Sequence, residues 1–155
     1  MKLFLAAVVA FILTINSEAA LARGQQQTDA EAVTSVKAAF EEILDLWRDA
    51  RYDELYERTQ RSGKVAKEDF ANRLENSTTK PACCWQKMQD VSVHVENNDF
   101  AVVRAKIGLE GDGDIKFKTR SYKLVREGNT WRISQSDLIS LAGAKKTKKG
   151  HRARH

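Results

Sequence analysis

Proline occurs once in this chain of 155 residues, and cysteine only twice. One proline and eight glycines exclude a collagen-like or low-complexity polymer. Two cysteines exclude a disulfide-dense scaffold and any multi-cysteine zinc or iron–sulfur site. Histidine is scarce as well: apart from His94, the other two, His151 and His155, stand in the C-terminal stretch. The chain has no nucleophile-elbow motif and no repeat of 20 to 50 residues. Glu110, Asp112 and Asp114 lack the spacing and closing Glu of an EF-hand loop, so Gly111-Asp112-Gly113 reads as a turn. No metal or cofactor is expected.

Long apolar runs are missing too, with one exception at the start. Lys2 precedes an apolar stretch from Leu3 to Ile15, broken only by Thr14, and Ala20-Leu21-Ala22 follows. At about 1.5 Å per residue such a stretch spans about 20 Å, short of a bilayer core of about 30 Å. Its layout is that of a secretory signal cleaved after Ala22. The expected organisation is therefore a signal peptide at 1–22, a flexible stretch at 23–27, one domain at 28–141 and a disordered basic tail at 142–155. The expected location is periplasmic or extracellular. The net charge of +5 belongs to that tail, where Lys145, Lys146, Lys148, Lys149, Arg152 and Arg154 meet no acid.

What the chain does have is 42% hydrophobic residues in two successive periodicities. Thr28 and Glu31 form a capping box ahead of a helix whose stripe is Val33, Val36, Phe40, Ile43, Leu44 and Trp47. Glu41, Glu42, Asp45 and Arg48 take its other side. Asp53 is expected to cap a short helix carrying Leu55 and Tyr56, and a third helix to run from Lys64 to Glu75 with Val65, Ala66, Phe70 and Leu74 as its apolar set. Residues 76–81 read as a polar linker ending at Pro81. From there the period becomes two. Val91, Val93 and Val95 form one inward set, and Val103, Ala105, Ile107 and Leu109 a second. Phe117, Trp131 and Ile133 continue the inward series, with turns at Asn97-Asn98-Asp99, Glu110–Asp114 and Glu127-Gly128-Asn129. The fold class is α+β, N-terminal helices packed on a curved antiparallel four-stranded meander.

This order, together with the closing Lys123-Leu124-Val125-Arg126-Glu127-Gly128-Asn129-Thr130-Trp131-Arg132-Ile133, resembles the nuclear transport factor two-like superfamily, which includes SnoaL-like and ketosteroid-isomerase-like proteins. The resemblance covers about Thr28 to Leu141 and implies a cone of helices and curved sheet around a pocket. It carries over no catalytic residue, because none of the inward positions above is an acid or a base. The expected function is a non-enzymatic binding or accessory domain. The alternatives are an isomerase- or dehydratase-type enzyme using Tyr52, Asp53 or Tyr122, and a polyanion binder.

Candidate residues fall into three groups. Tyr52, Tyr56, Trp85, Tyr122 and Trp131 could line a pocket for a small apolar ligand. Arg104, Lys106, Lys116, Lys118, Arg120 and Arg132 alternate with core positions, which would place them on one sheet face to meet an anionic surface or polymer, or to form a homodimer. Cys83-Cys84, expected to open the first strand, reads as an inert pair, a vicinal disulfide, an intermolecular bridge or a soft-metal site. His94 sits on the polar side with Ser92 and Glu96. If polyanion affinity resides in the tail, truncation after Ala144 will leave the melting temperature unchanged and lower the salt needed to elute the protein from an immobilised polyanion. Equal elution of both forms would shift attention to the sheet.

Overall fold

The computed structural model describes residues 29–63 and 65–143. The expected signal segment at 1–22, Thr28 of the expected capping box and the tail from Lys145 to Arg154 lie outside the described residues. The chain divides into two compact units, residues 1–35 and 36–155. In the first, residues 29–35 are helical, and Thr34 Oγ1 donates to the Ala30 carbonyl at 2.9 Å. Every strand among the described residues belongs to the second unit.

Helix α1 is helical from 29 to 48. Within the second unit it buries Val36, Phe40, Ile43, Leu44, Leu46 and Trp47, the expected stripe widened by Leu46. It stops in a Schellman arrangement. The Arg51 amide donates to the Leu46 carbonyl and the Ala50 amide to the Trp47 carbonyl, with Ala50 at φ 57, a left-handed position more usually taken by glycine. Helix α2 spans Tyr52–Glu57. Its N-cap is Arg51 without a side-chain cap, so Asp53 lies in the first turn and does not cap it. Helix α3 spans Lys67–Glu75, three residues shorter at its start than the sequence suggested. Ala66 is its exposed N-cap, and only Phe70 and Leu74 are buried.

The supposed linker ends as a strand. β1, Lys80–Pro81, pairs antiparallel with Glu110 and Leu109 of β3, Phe100–Gly111. β2, Met88–Asn97, resumes the same edge of β3 with Met88 opposite Ile107. Between them, Ala82–Lys87 leaves the ladder opposite Gly108 and makes the single turn α4, Cys84–Lys87. The cysteines therefore belong to this excursion, Cys83 as N-cap and Cys84 as first helical residue, and not to the start of a strand. The excursion requires a glycine beneath it. A Cβ at Gly108 would meet the Gln86 carbonyl oxygen at 2.2 Å.

The meander continues with β4, Asp114–Glu127, paired with β3 along its length, and β5, Thr130–Ile133. The β3–β4 turn has Asp112 at φ 50 and Gly113 at φ 89, the two positive central angles of a type I′ hairpin. The other edge of β5 is covered by residues 58–60: the Gln60 amide donates to the Ile133 carbonyl, and the Ile133 amide donates to the Arg58 carbonyl. Helix α5, Gln135–Leu141, is the last element among the described residues and buries Leu138, Ile139 and Leu141. It was not anticipated, because a short helix leaves little periodicity to read.

The core joins the buried face of α1 to Leu55, Phe70, Leu74 and the inward residues of β3, Tyr122, Leu124, Trp131 and Ile133. Trp47 and Trp131 share it, as expected. Phe117 does not. Tyr122 and Leu124 face inward, and a period of two then turns Phe117 outward, where it is 40% exposed under Lys106. We predict that Gly108→Ala, by forcing Gln86 off the sheet, destabilises the protein by about 1–3 kcal/mol in chemical denaturation. An unchanged midpoint would show that the excursion is loosely held.

Candidate functional site

A cleft of about 460 Å³ opens in the second unit. Such a volume lies within the range of small-molecule sites. Its floor comes from the last turn of α1, which contributes Trp47 and Arg48. Tyr52 at the start of α2 and Leu74 and Glu75 at the end of α3 form one wall. The segment 77–80 and the β3–β4 hairpin from Glu110 to Gly113 form the other. The two parts of that second wall meet at Gly111, where a Cβ would lie 2.5 Å from the Thr78 carbonyl oxygen, so glycine is what lets the segment cross the hairpin.

The chemistry of this cleft is asymmetric. Trp47 Nε1 and Arg48 Nε are both buried donors without a hydrogen-bond partner among the described residues. Glu75, Glu110 and Asp112 supply carboxylates, and Lys80 adds a second cation. Burial, reinforced by the charge of Glu75, holds the Tyr52 phenol above its ordinary value. Lone donors on the floor and carboxylates around the walls suit a ligand with an acceptor at one end and a donor or cation elsewhere.

The sequence-predicted residues are scattered. Of the five aromatic candidates only Tyr52 lines the cleft. Tyr56 packs edge-on against Phe70 with centroids 5.6 Å apart and donates to the Val65 carbonyl. Trp131 is buried in the core, and Trp85 is 72% exposed on the excursion. Tyr122 packs on Phe40 with ring centroids 5.1 Å apart, its hydroxyl buried without a partner among the described residues. Asp53 is exposed and pairs with Lys67 at 3.1 Å. His94 is exposed.

The basic candidates do not share a face. Register places Lys116, Lys118 and Arg120 opposite Leu109, Ile107 and Ala105, on the core-facing side beyond the core itself. There Lys118 donates to the Leu141 carbonyl and Arg120 to the Ser140 hydroxyl, satisfying the end of α5. Arg104 and Lys106 project from the other face. Arg132 is buried: its Nη1 donates to the Glu57 carbonyl, and its Nε faces Glu127 at 3.1 Å as an ion pair without hydrogen-bond alignment. Sequence reasoning had counted all six as one surface because it did not carry the parity of Tyr122 back along β4.

What sequence reasoning missed is the paired donors Trp47 and Arg48, and Lys87. Lys87, only 7% exposed, reaches α1, where it bonds both Asp45 oxygens at 2.6 and 2.7 Å and Glu41 at 3.3 Å. Desolvation, the largest influence, pushes its ammonium down, but the hydrogen bonds and charges of Asp45 and Glu41 outweigh it and leave it raised. The presence of Glu41 and Asp45 at i and i+4 on one helix face was the available signal.

No family model matches the chain, and comparison with curated proteins found no relative.

Tyr122 yields a prediction. Burial raises its phenol to about 12, with Arg120 opposing and Asp137 adding to the shift. The fold favours the neutral phenol, so the stability this contributes is whole below the ordinary value of 10.0 and is lost as pH rises toward 12. Tyr122→Phe should be neutral or stabilising at pH 7, since it removes an unpartnered buried hydroxyl, and should flatten the alkaline loss by at most about 3 kcal/mol. The raised Lys87 ammonium, also lost at alkaline pH, accounts for part of the slope that remains. Denaturation from pH 7 to 12 checks both. An unaltered slope would place the Tyr122 hydroxyl in water.

Proposed function

We propose that the chain is an exported binding or accessory module of the nuclear transport factor two-like kind, whose cleft takes a small ligand presenting a hydrogen-bond acceptor to Trp47 and Arg48. The observation that carries this reading is that Trp47 and Arg48, both lining the cleft, each keep a buried side-chain N–H without a partner among the described residues. Buried N–H groups are satisfied in the great majority of folded proteins, and leaving one orphaned costs on the order of 1–3 kcal/mol. Both atoms are covered by protein, so a ligand acceptor recovers that cost only by displacing the side chains over them. The aromatic faces of Trp47 and Tyr52 with Leu74 supply contact for an apolar body, and Glu75, Glu110 and Asp112 favour a neutral or zwitterionic ligand over a simple anion.

The element order supports the family assignment: a helix ending at a buried tryptophan, two shorter helices, and a meander whose last strand returns a second tryptophan to the same core. Export rests on the segment from Lys2 to Ala22, and no helix among the described residues is long and apolar enough to cross a membrane. Isomerase chemistry finds one of its candidates in the cleft, Tyr52, whose phenol burial and Glu75 raise, while Tyr122 and Asp137, whose pKa values burial also raises, do not line it.

The indole N–H of Trp47 gives a separate NMR signal that tests the reading. Titration with benzamide or phenylalanine, which carry acceptors, is expected to move it saturably, whereas benzylamine, which carries none, leaves it in place. Trp47→Phe removes the donor together with part of the ring surface, so affinity measured by calorimetry on a variant shown to be folded should fall by at least about fivefold to thirtyfold, the worth of one hydrogen bond to a desolvated group. If no acceptor-bearing fragment moves the Trp47 signal, the cleft is not the binding site.

A further inference from the structure

The excursion between β1 and β2 is packed at its ends and exposed at its middle, at Cys84 and Trp85. Ala82 and Lys87 anchor its ends, the first by donating to the Gly108 carbonyl at 2.9 Å and the second by its ion pairs to α1. What the anchored turn lifts off the sheet is Cys83, Cys84 and Trp85. Both cysteines are free thiols, Cys83 half-buried and Cys84 exposed. The two are consecutive residues on this turn, close enough for the Cys84 thiol to hold the Cys83 thiol above its ordinary value. Cys84 sits at φ 59, a left-handed conformation that a cysteine rarely adopts without constraint from its surroundings.

We propose that Cys83 and Cys84 form a thiol–disulfide exchange site that accepts oxidising equivalents from an external disulfide and holds them as a vicinal disulfide. Cys84 is the attacking thiol because it is the accessible one. Its thiolate attacks one sulfur of the external disulfide. A bond forms between Cys84 Sγ and that sulfur as the external S–S bond breaks, and the departing thiolate takes up the proton that Cys84 released. Cys83 then attacks Cys84 Sγ and displaces the second external thiolate, which is protonated in turn. The two cysteines lose two electrons, and the external disulfide becomes two thiols.

The order of attack is consistent with the surroundings of the pair. The Cys83 thiol is held above its ordinary value first by its hydrogen bond with Cys84, then by burial and the Cys84 charge, while Arg48 opposes. Once Cys84 is tied up in the mixed disulfide, that hydrogen bond and that charge are gone, and Cys83 is released for the second step. The product is poised to pass its oxidation on. Adjacent Cα atoms lie about 3.8 Å apart, below the usual span of a disulfide, and strained or exposed disulfides are the readily reduced ones. Trp85, beside the pair and 72% exposed, offers an apolar surface to the incoming disulfide. This site does not depend on the cleft being occupied.

The test treats the full chain with oxidised glutathione and follows free thiols, released glutathione and intact mass. The expected result is loss of both thiols, release of two equivalents of reduced glutathione per chain, a monomer with no retained adduct, and full reversal by dithiothreitol. Cys83→Ser should trap one glutathione on Cys84, and Cys84→Ser should leave Cys83 unmodified over the same interval, with thermal melts showing both variants folded. Three results would overturn the proposal: a stable glutathione adduct on the unaltered chain, a dimer on a non-reducing gel, or thiols that react only after denaturation.

Discussion

The carbonyl of Gln86 stands where a side chain at position 108 would have to be, and much of the second unit's arrangement depends on that contact. β1 and β2 are collinear partners of β3, interrupted by Ala82–Lys87, and the interruption can lie close only because Gly108 has no Cβ. Seated there, the excursion delivers Lys87 to Asp45 and Glu41. It thereby adds an electrostatic tie to the apolar packing of α1 on the sheet. A buried ammonium with half-exposed carboxylate partners adds less stability than positional definition, since desolvation offsets much of the attraction.

The cleft is a consequence of chain ends meeting. α1 terminates at Ala50, α3 terminates at Asn76, and the β3–β4 hairpin turns at Asp112-Gly113, all in one region. Helix ends and turns bring unpaired polar groups and irregular backbone, whereas the sheet interior is filled by Val103, Ala105, Ile107, Leu124 and Ile133. A cleft at these chain ends, with a closed interior beneath the sheet, results from the same demand for paired backbone groups that shapes the sheet. The basic side chains of β4 have a structural task there, with Lys118 and Arg120 completing α5, and this removes them from any shared anion-facing surface.

Legibility in the sequence tracked local periodicity. The 3.6-residue stripe of α1, the alternation in β2 and β3 and the three glycine- or asparagine-marked turns were readable because each element buries one face. The excursion was not, because Pro81 and the polar residues before it read as a linker while their partners lie on β3, some thirty residues later. The misplacement of Phe117 arose from extending the inward set across β4 without fixing its register. One residue of slip exchanges the faces of a strand, and here it also divided the cationic set between two sides.

The sequence by itself determined the α+β class, the succession of helices then meander, and the shared burial of Trp47 and Trp131, since these depend on which residues avoid water and at what period. Only the tertiary structure decided that Trp47 and Arg48 would be orphaned donors on a cleft, that Lys87 would be buried between carboxylates, and that the two thiols would stand on an anchored turn off the sheet edge. Each of those outcomes depends on contacts between segments distant along the chain. A local pattern carries no record of what will lie across from it.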